Sequence, residues 1–252
     1  MRTFKTEALV LNRTDFSNTS QIVDLFTCDH GRIPVIAKGV RQYRKRVHRL
    51  IDLLYRGNAI ILEKSSREVQ ILSDFETLDH YPGLRRHLDR YHAGLHLLHC
   101  LRRATQPGGE DRRLFSLSVR ALARIHSVPL DRLPAEILAF DFRFLAVIGY
   151  QQSLDSCPLC GTRHGPDEET RFTPTAGGCL CRRCGPRSPG TSLPFSGQGR
   201  RLLIHLARLT GSDRDRVPLP LTDLREVRKI LNIALTSLLE AKLPMLKYLL
   251  PS

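Results

Sequence analysis

Two short cysteine pairs constrain this chain more than any other feature. Cys157-Pro158-Leu159-Cys160-Gly161 and Cys181-Arg182-Arg183-Cys184-Gly185 are C-x-x-C knuckles separated by twenty residues, a spacing expected of a four-thiolate zinc site. In each knuckle two thiolates turn toward one ion, and a glycine just after the second permits the tight turn. The surrounding stretch, 151–190, is rich in Cys, Gly and Pro. It carries too few apolar side chains for a core of its own, so the metal must take the core's place. Five of the seven cysteines fall within 157–184, which favours metal binding over a disulfide framework. Cys179 is a fifth thiol that competes with Cys181 as ligand, and spacing favours Cys181.

The ligand types indicate a structural Zn2+ rather than a catalytic one. A catalytic zinc keeps one position open for water and needs a positioned base, and a nucleobase deaminase carries His-x-Glu ahead of its Pro-Cys-x-x-Cys. No His-x-Glu occurs in this sequence. Neither pair opens a helix after a strand, which argues against a redox C-x-x-C. His92, His96 and His99 form a helical stripe beside Cys100, a spacing that can bind a metal, but packing histidines are the better reading. P-loop, dinucleotide and His-Glu-x-x-His motifs are absent as well, so NTPase and metalloprotease readings have no support.

Ahead of the cysteine segment the apolar periodicity changes once. β-rich runs occupy Phe4–Leu11, Gln21–Thr27, Arg32–Ala37, Asn58–Leu62 and Val69–Leu72, with turn signals at Asp29-His30-Gly31 and Arg56-Gly57-Asn58. Five short strands without an intervening helix predict a small OB-like barrel. After Tyr81-Pro82-Gly83 the period becomes helical: one helix through Leu84–Leu101, then Leu114–His126 and Pro134–Ile148. Helical spacing resumes at Gly199–Leu209 and Leu221–Leu238. The expected class is therefore α+β: an N-terminal OB-fold barrel (1–80), an α-helical domain (81–150 and 191–252), and an inserted four-Cys zinc module (151–190).

The charge is large and clustered. Lys and Arg number 39 against 25 Asp and Glu, a formal net charge of +14, which attracts polyanions. Residues 1–50 carry ten cations and four acids and 81–126 nine and three, whereas 51–80 carry three and six. The densest run, Lys38 through Arg49, holds Lys38, Arg41, Arg44, Lys45, Arg46 and Arg49 with Tyr43 among them. Such cations displace counterions from phosphate without reading sequence, and a tyrosine among them can stack on an exposed base. Arg85, Arg86 and Arg90 at the start of the first helix, with Arg102, Arg103, Arg112 and Arg113 flanking its end, are readable either as an extension of the same surface or as solvated charge, and an extension is the reading adopted, with Arg85 and Arg86 as its candidates. Arg182 and Arg183, between the last two thiolates, are equally readable as DNA contacts or as solvated turn residues. The first residues lack an apolar leader, and no window approaches the ~20 uncharged residues of a membrane span, so a cytoplasmic chain is expected.

Several segments in fixed order resemble the RecO family of bacterial recombination mediators. They are Ala8-Leu9-Val10-Leu11, Phe26-Thr27 with His30-Gly31-Arg32, Ala37-Lys38-Gly39-Val40-Arg41, Phe144-Leu145 with Ile148-Gly149-Tyr150, Phe172-Thr173-Pro174, and Gly177-Gly178-Cys179-Leu180-Cys181. The resemblance implies an OB-fold domain and a helical domain with zinc ligands at Cys157, Cys160, Cys181 and Cys184. It also implies a basic barrel segment at Lys38, Arg41 and the tract beyond. Its activity would be non-enzymatic: binding single- and double-stranded DNA, annealing complementary strands, engaging single-strand-binding protein and, with RecR, helping load RecA, at a nucleoid-associated location. The reading from a different class is a zinc-dependent enzyme acting on nucleic acid.

Overall fold

The computed structural model describes residues 2–16, 18–38, 51–64, 66–188 and 190–245. The chain folds as two compact units, 1–126 and 127–252.

The first unit opens with β1 (Arg2–Asp15), β2 (Gln21–Thr27), β3 (Gly31–Ala37), β4 (Arg56–Glu63) and β5 (Gln70–Asp79). They close into a barrel in the order β1-β2-β3-β5-β4. All neighbours are antiparallel except β3 and β5, where Val35 lies beside Gln70 and Ala37 beside Leu72. This is the OB arrangement expected from the five β-rich runs. Closure depends on the length of β1, whose Ala8 pairs with Thr27 on one side and Gly57 on the other. A register irregularity between Val10 and Asn12 bends the strand around the barrel. Alternating residues point inward, so Ala8, Val10, Val23, Leu25, Val35, Ala37, Ala59, Ile61, Leu72 and Phe75 form the interior.

Arg56-Gly57-Asn58 is not a turn; it begins β4. The glycine is required by close approach rather than by a bend. A Cβ at Gly57 would stand 2.6 Å from the Phe75 ring and 2.6 Å from the Glu76 carbonyl oxygen.

Helices α1 (Pro82–Arg86), α2 (Leu88–Ala104) and α3 (Arg112–Ser127) follow. The single helix expected over 84–101 is broken at His87, whose backbone is extended (φ −136°, ψ 129°). The end of α2 is tied back to β3: Arg32 Nη1 donates to the carbonyls of Arg102 (2.9 Å) and Thr105 (3.1 Å).

The second unit packs α4 (Leu133–Val147), α5 (Gly197–Arg208) and α7 (Leu221–Leu239) against one another, with the short α6 (Ser212–Asp215) between the last two. Helix α4 buries Ile137, Leu138, Phe144 and Leu145, as a helix apolar on nearly every face must. Arg143 donates to the carbonyls of Ala207 and Leu209 and so satisfies the unpaired C-terminal end of α5. Arg214 and Glu136 form a buried ion pair. No helix among the described residues is long and apolar enough to cross a membrane.

Between α4 and α5 the cysteine segment contains β6 (Thr170–Thr173), β7 (Gly178–Leu180) and β8 (Leu193–Phe195), in the order β7-β6-β8. Three-residue strands leave no periodicity, yet β7 and β8 supply hydrogen-bond partners for backbone that the knuckles hold in place.

Candidate metal centre and basic barrel surface

The two knuckles form as expected and converge. Gly161, with φ of 73°, donates its N–H to the Cys157 carbonyl at 2.8 Å, and Gly185 donates to Cys181 at 2.9 Å. These turns bring the sulfurs of Cys157, Cys160, Cys181 and Cys184 within 4.8 Å of one another. A tetrahedral ion with metal–sulfur bonds of ~2.3 Å sets its sulfurs about 3.8 Å apart. Cys160 and Cys181 stand at 3.8 Å. The donor set therefore fits a metal ion, and its four thiolates close every tetrahedral position.

Cys179 lies outside this group. It sits on β7 opposite Phe172, fully buried, and burial pushes its thiol up to about 12. The ligands have different surroundings. Hydrogen bonding with Thr162, whose Oγ1 is 3.3 Å from the sulfur, holds Cys160 down at about 6. Partial burial, reinforced by the neighbouring sulfurs, raises Cys184 to about 12. The sulfurs of Cys160 and Cys184 favour the charged form of Arg183 and raise its pKa. Its guanidinium thus offsets the net negative charge that four thiolates around a divalent ion would carry. Neither Thr162 nor Arg183 was identified as a sulfur partner from sequence; a polar residue two places after a ligand, or beside one, carries no pattern of its own.

Leu180 and Ala176 pack against the cysteines and make up the rest of this small core. The module is fastened to α5 by Arg200, which donates to the carbonyls of Leu154 (3.2 Å) and Gly165. Ion pairs Arg201–Asp167 and Arg208–Asp155 add to this on the surface. The loop acids thus have α5 arginines opposite them, while Arg163, Arg182 and Arg187 are exposed and form no ion pair among the described residues.

Of the basic candidates, Arg41, Tyr43, Arg44, Lys45, Arg46 and Arg49 lie outside the described residues. Lys38 is exposed immediately after β3. Arg86 is exposed, without an ion pair among the described residues. Arg85 is committed elsewhere: its Nη2 meets Asp52 Oδ2 and the Leu53 carbonyl, each at 3.0 Å, and its guanidinium covers the Tyr55 ring at 5.0 Å. Its neighbour Arg90 is buried and donates to the Ile125 carbonyl at 2.7 Å. His96 is likewise buried, with Nε2 3.8 Å from the Cys100 sulfur.

Residues 1–81 match the family described as "Recombination protein O N terminal", and residues 85–247 match "Recombination protein O C terminal". Curated relatives are similar along much of the chain. The DNA repair protein RecO of Rhodopirellula baltica is 31% identical over 181 residues, 71% of this chain and 66% of the relative. That of Rubrobacter xylanophilus is 31% identical over 77% of this chain and 76% of its own length. The protein of that name from Myxococcus xanthus is 28% identical over 92% of this chain and 91% of its own.

Proposed function

The chain belongs to the recombination protein O family, and from that premise we propose that it is a DNA-binding recombination mediator that anneals complementary strands. The observation that carries this reading is the closed OB barrel with the exposed Lys38 directly after β3, in a sequence that carries five more cations by Arg49. Loops of such barrels are recurrent single-strand binding sites. Two DNA strands repel through their phosphates, and cations that displace condensed counterions lower that repulsion while base pairing supplies the free energy. No bond is made or broken by the protein, so a nucleophile and a general base are unnecessary. Partners implied by the family are single- and double-stranded DNA, single-strand-binding protein, RecR and, indirectly, RecA.

In this reading Cys157, Cys160, Cys181 and Cys184 hold one Zn2+, which supplies the cross-link that the module's few apolar residues cannot. A catalytic role for the ion is disfavoured by the donors themselves: four thiolates leave no position for water, and the nearby His164 is turned to the Cys179 carbonyl at 2.9 Å and to Glu168.

The test is fluorescence anisotropy with labelled single- and double-stranded oligonucleotides over a salt series. Binding to both, independent of sequence and weakening linearly in log–log form with salt, is expected. A salt-insensitive or sequence-restricted interaction would contradict the phosphate-neutralising mechanism.

A further inference from the structure

Phe16 stands out among the aromatic side chains of the barrel. It follows the last residue of β1, is 62% exposed, and caps the loop toward β2 by donating its N–H to the Ser20 carbonyl at 3.1 Å. Burying a phenylalanine is favourable, yet among the described residues neither the barrel interior nor a neighbouring ring uses this one. The strand register places it. Gln21, the first residue of β2, pairs with Asp15 on one side and with Ala37 on the other. Phe16 and Lys38, the next residues along β1 and β3, therefore emerge at the same end of the barrel. Two strand spacings separate them, about 10 Å. That is within the span of one or two nucleotides, so a base laid on the ring leaves a neighbouring phosphate beside the ammonium. The acid next to this loop, Asp15, accepts a hydrogen bond from Gln21 Nε2 at 3.0 Å.

We propose that Phe16 is a base-stacking residue for single-stranded nucleic acid, working with Lys38 at the β1–β2 end of the barrel. The inference rests on the DNA-binding reading above and adds to it a strand preference at one position. A ring face is available to any unpaired base, so stacking is sequence-tolerant. In duplex DNA the bases are already stacked on one another and must be unstacked first. Phe16 therefore distinguishes single from double strands, whereas the cations of the tract do not.

The chain contains no tryptophan, so Phe16→Trp introduces a single, selectively excitable tryptophan at the proposed contact, on a side chain whose exposure leaves the core untouched. Its emission should be quenched on addition of oligothymidylate and remain nearly unchanged with a hairpin duplex of equal charge. In parallel, Phe16→Ala should weaken single-strand affinity by roughly 5- to 150-fold, the range of one lost aromatic–base stack. Duplex affinity should stay within about twofold. If anisotropy shows the wild-type chain binding both DNAs, while emission is unchanged and Phe16→Ala binds like wild type, the stacking role is refuted and the DNA-binding reading stands. If the wild-type chain binds neither DNA, the reading itself fails, and this inference with it.

Discussion

Replacing Cys181 and Cys179 separately by serine distinguishes a metal ligand from a packing thiol two residues away. The Cys181 sulfur lies 3.8 Å from that of Cys160, within a group whose four sulfurs lie within 4.8 Å of one another. Structural zinc contributes about 10–16 kcal/mol in small thiolate modules, or roughly 2.5–4 kcal/mol per ligand. Losing one thiolate should therefore lower metal affinity by about two to three orders of magnitude. Because Leu180 and Ala176 are the main apolar residues packed on the cysteines, the module should loosen when the ion is lost. Cys179 is different, fully buried and neutral, with its thiol held up at about 12. Cys179→Ser places a hydroxyl in an apolar site, at about 1–3 kcal/mol if it stays unpaired, and should melt earlier with its metal content intact. The assays are metal stoichiometry by mass spectrometry and competition with a chromogenic chelator, each beside a melting curve. One tightly held ion in Cys181→Ser, and none in Cys179→Ser, would refute the ligand assignment.

Other outcomes follow from the same structure. Lys38→Gln should weaken binding of all DNA sequences alike and reduce the salt slope by about 1; an unchanged slope would remove Lys38 from the phosphate contacts. Arg85→Ala should leave DNA affinity within about twofold and instead lower stability by about 0.5–1 kcal/mol, since it loses Asp52 and the Tyr55 ring face. A large loss of affinity with unchanged melting would reverse that assignment. Gly57→Ala should destabilise the barrel by about 1–3 kcal/mol in urea melts, because the new methyl meets Phe75 and the backbone of β5; a neutral substitution would contradict the described β4–β5 approach. Burial raises the Asp24 carboxyl above its ordinary 3.8 despite Arg32 at 3.5 Å. The native state then holds that proton more tightly than the unfolded chain. Its contribution favours folding below pH 3.8 and is lost as pH rises through the higher native value. Asp24→Asn should flatten that part of the stability–pH curve, and an unaltered slope there would show that Asp24 is not the group responsible.

The large elements and the four-cysteine cluster were readable from the chain because each has a repeating or paired signature. Alternation located the five barrel strands, as in Val23 and Leu25 or Ala59 and Ile61, and helical spacing located α2 to α5 and α7. The knuckle spacing selected Cys181 over Cys179; the Cys181 sulfur lies within the four-sulfur group, and Cys179 sits on β7 opposite Phe172. What escaped lacked a pattern. Gly57 has the composition of a turn, but its role is set by Phe75 on another strand, a contact no local window contains. His87 interrupts an unbroken apolar period through one residue's backbone angles. The commitment of Arg85 to Asp52 and of Arg183 to sulfurs depends on partners brought close only by folding. So does the placement of Phe16 near Lys38, which are 22 residues apart in the chain and become neighbours through the register of β2.

The central claim, strand annealing by neutralisation of phosphate, is tested most directly with two complementary oligonucleotides, each coated with single-strand-binding protein. Their pairing would be followed by energy transfer with and without the chain, at low and moderate salt and without nucleotide. The account predicts pairing that the chain accelerates at low salt, an acceleration that falls steeply as salt rises, and strands recovered chemically intact. Pairing no faster with the chain than without it, or strands recovered cleaved or with altered bases, would contradict it.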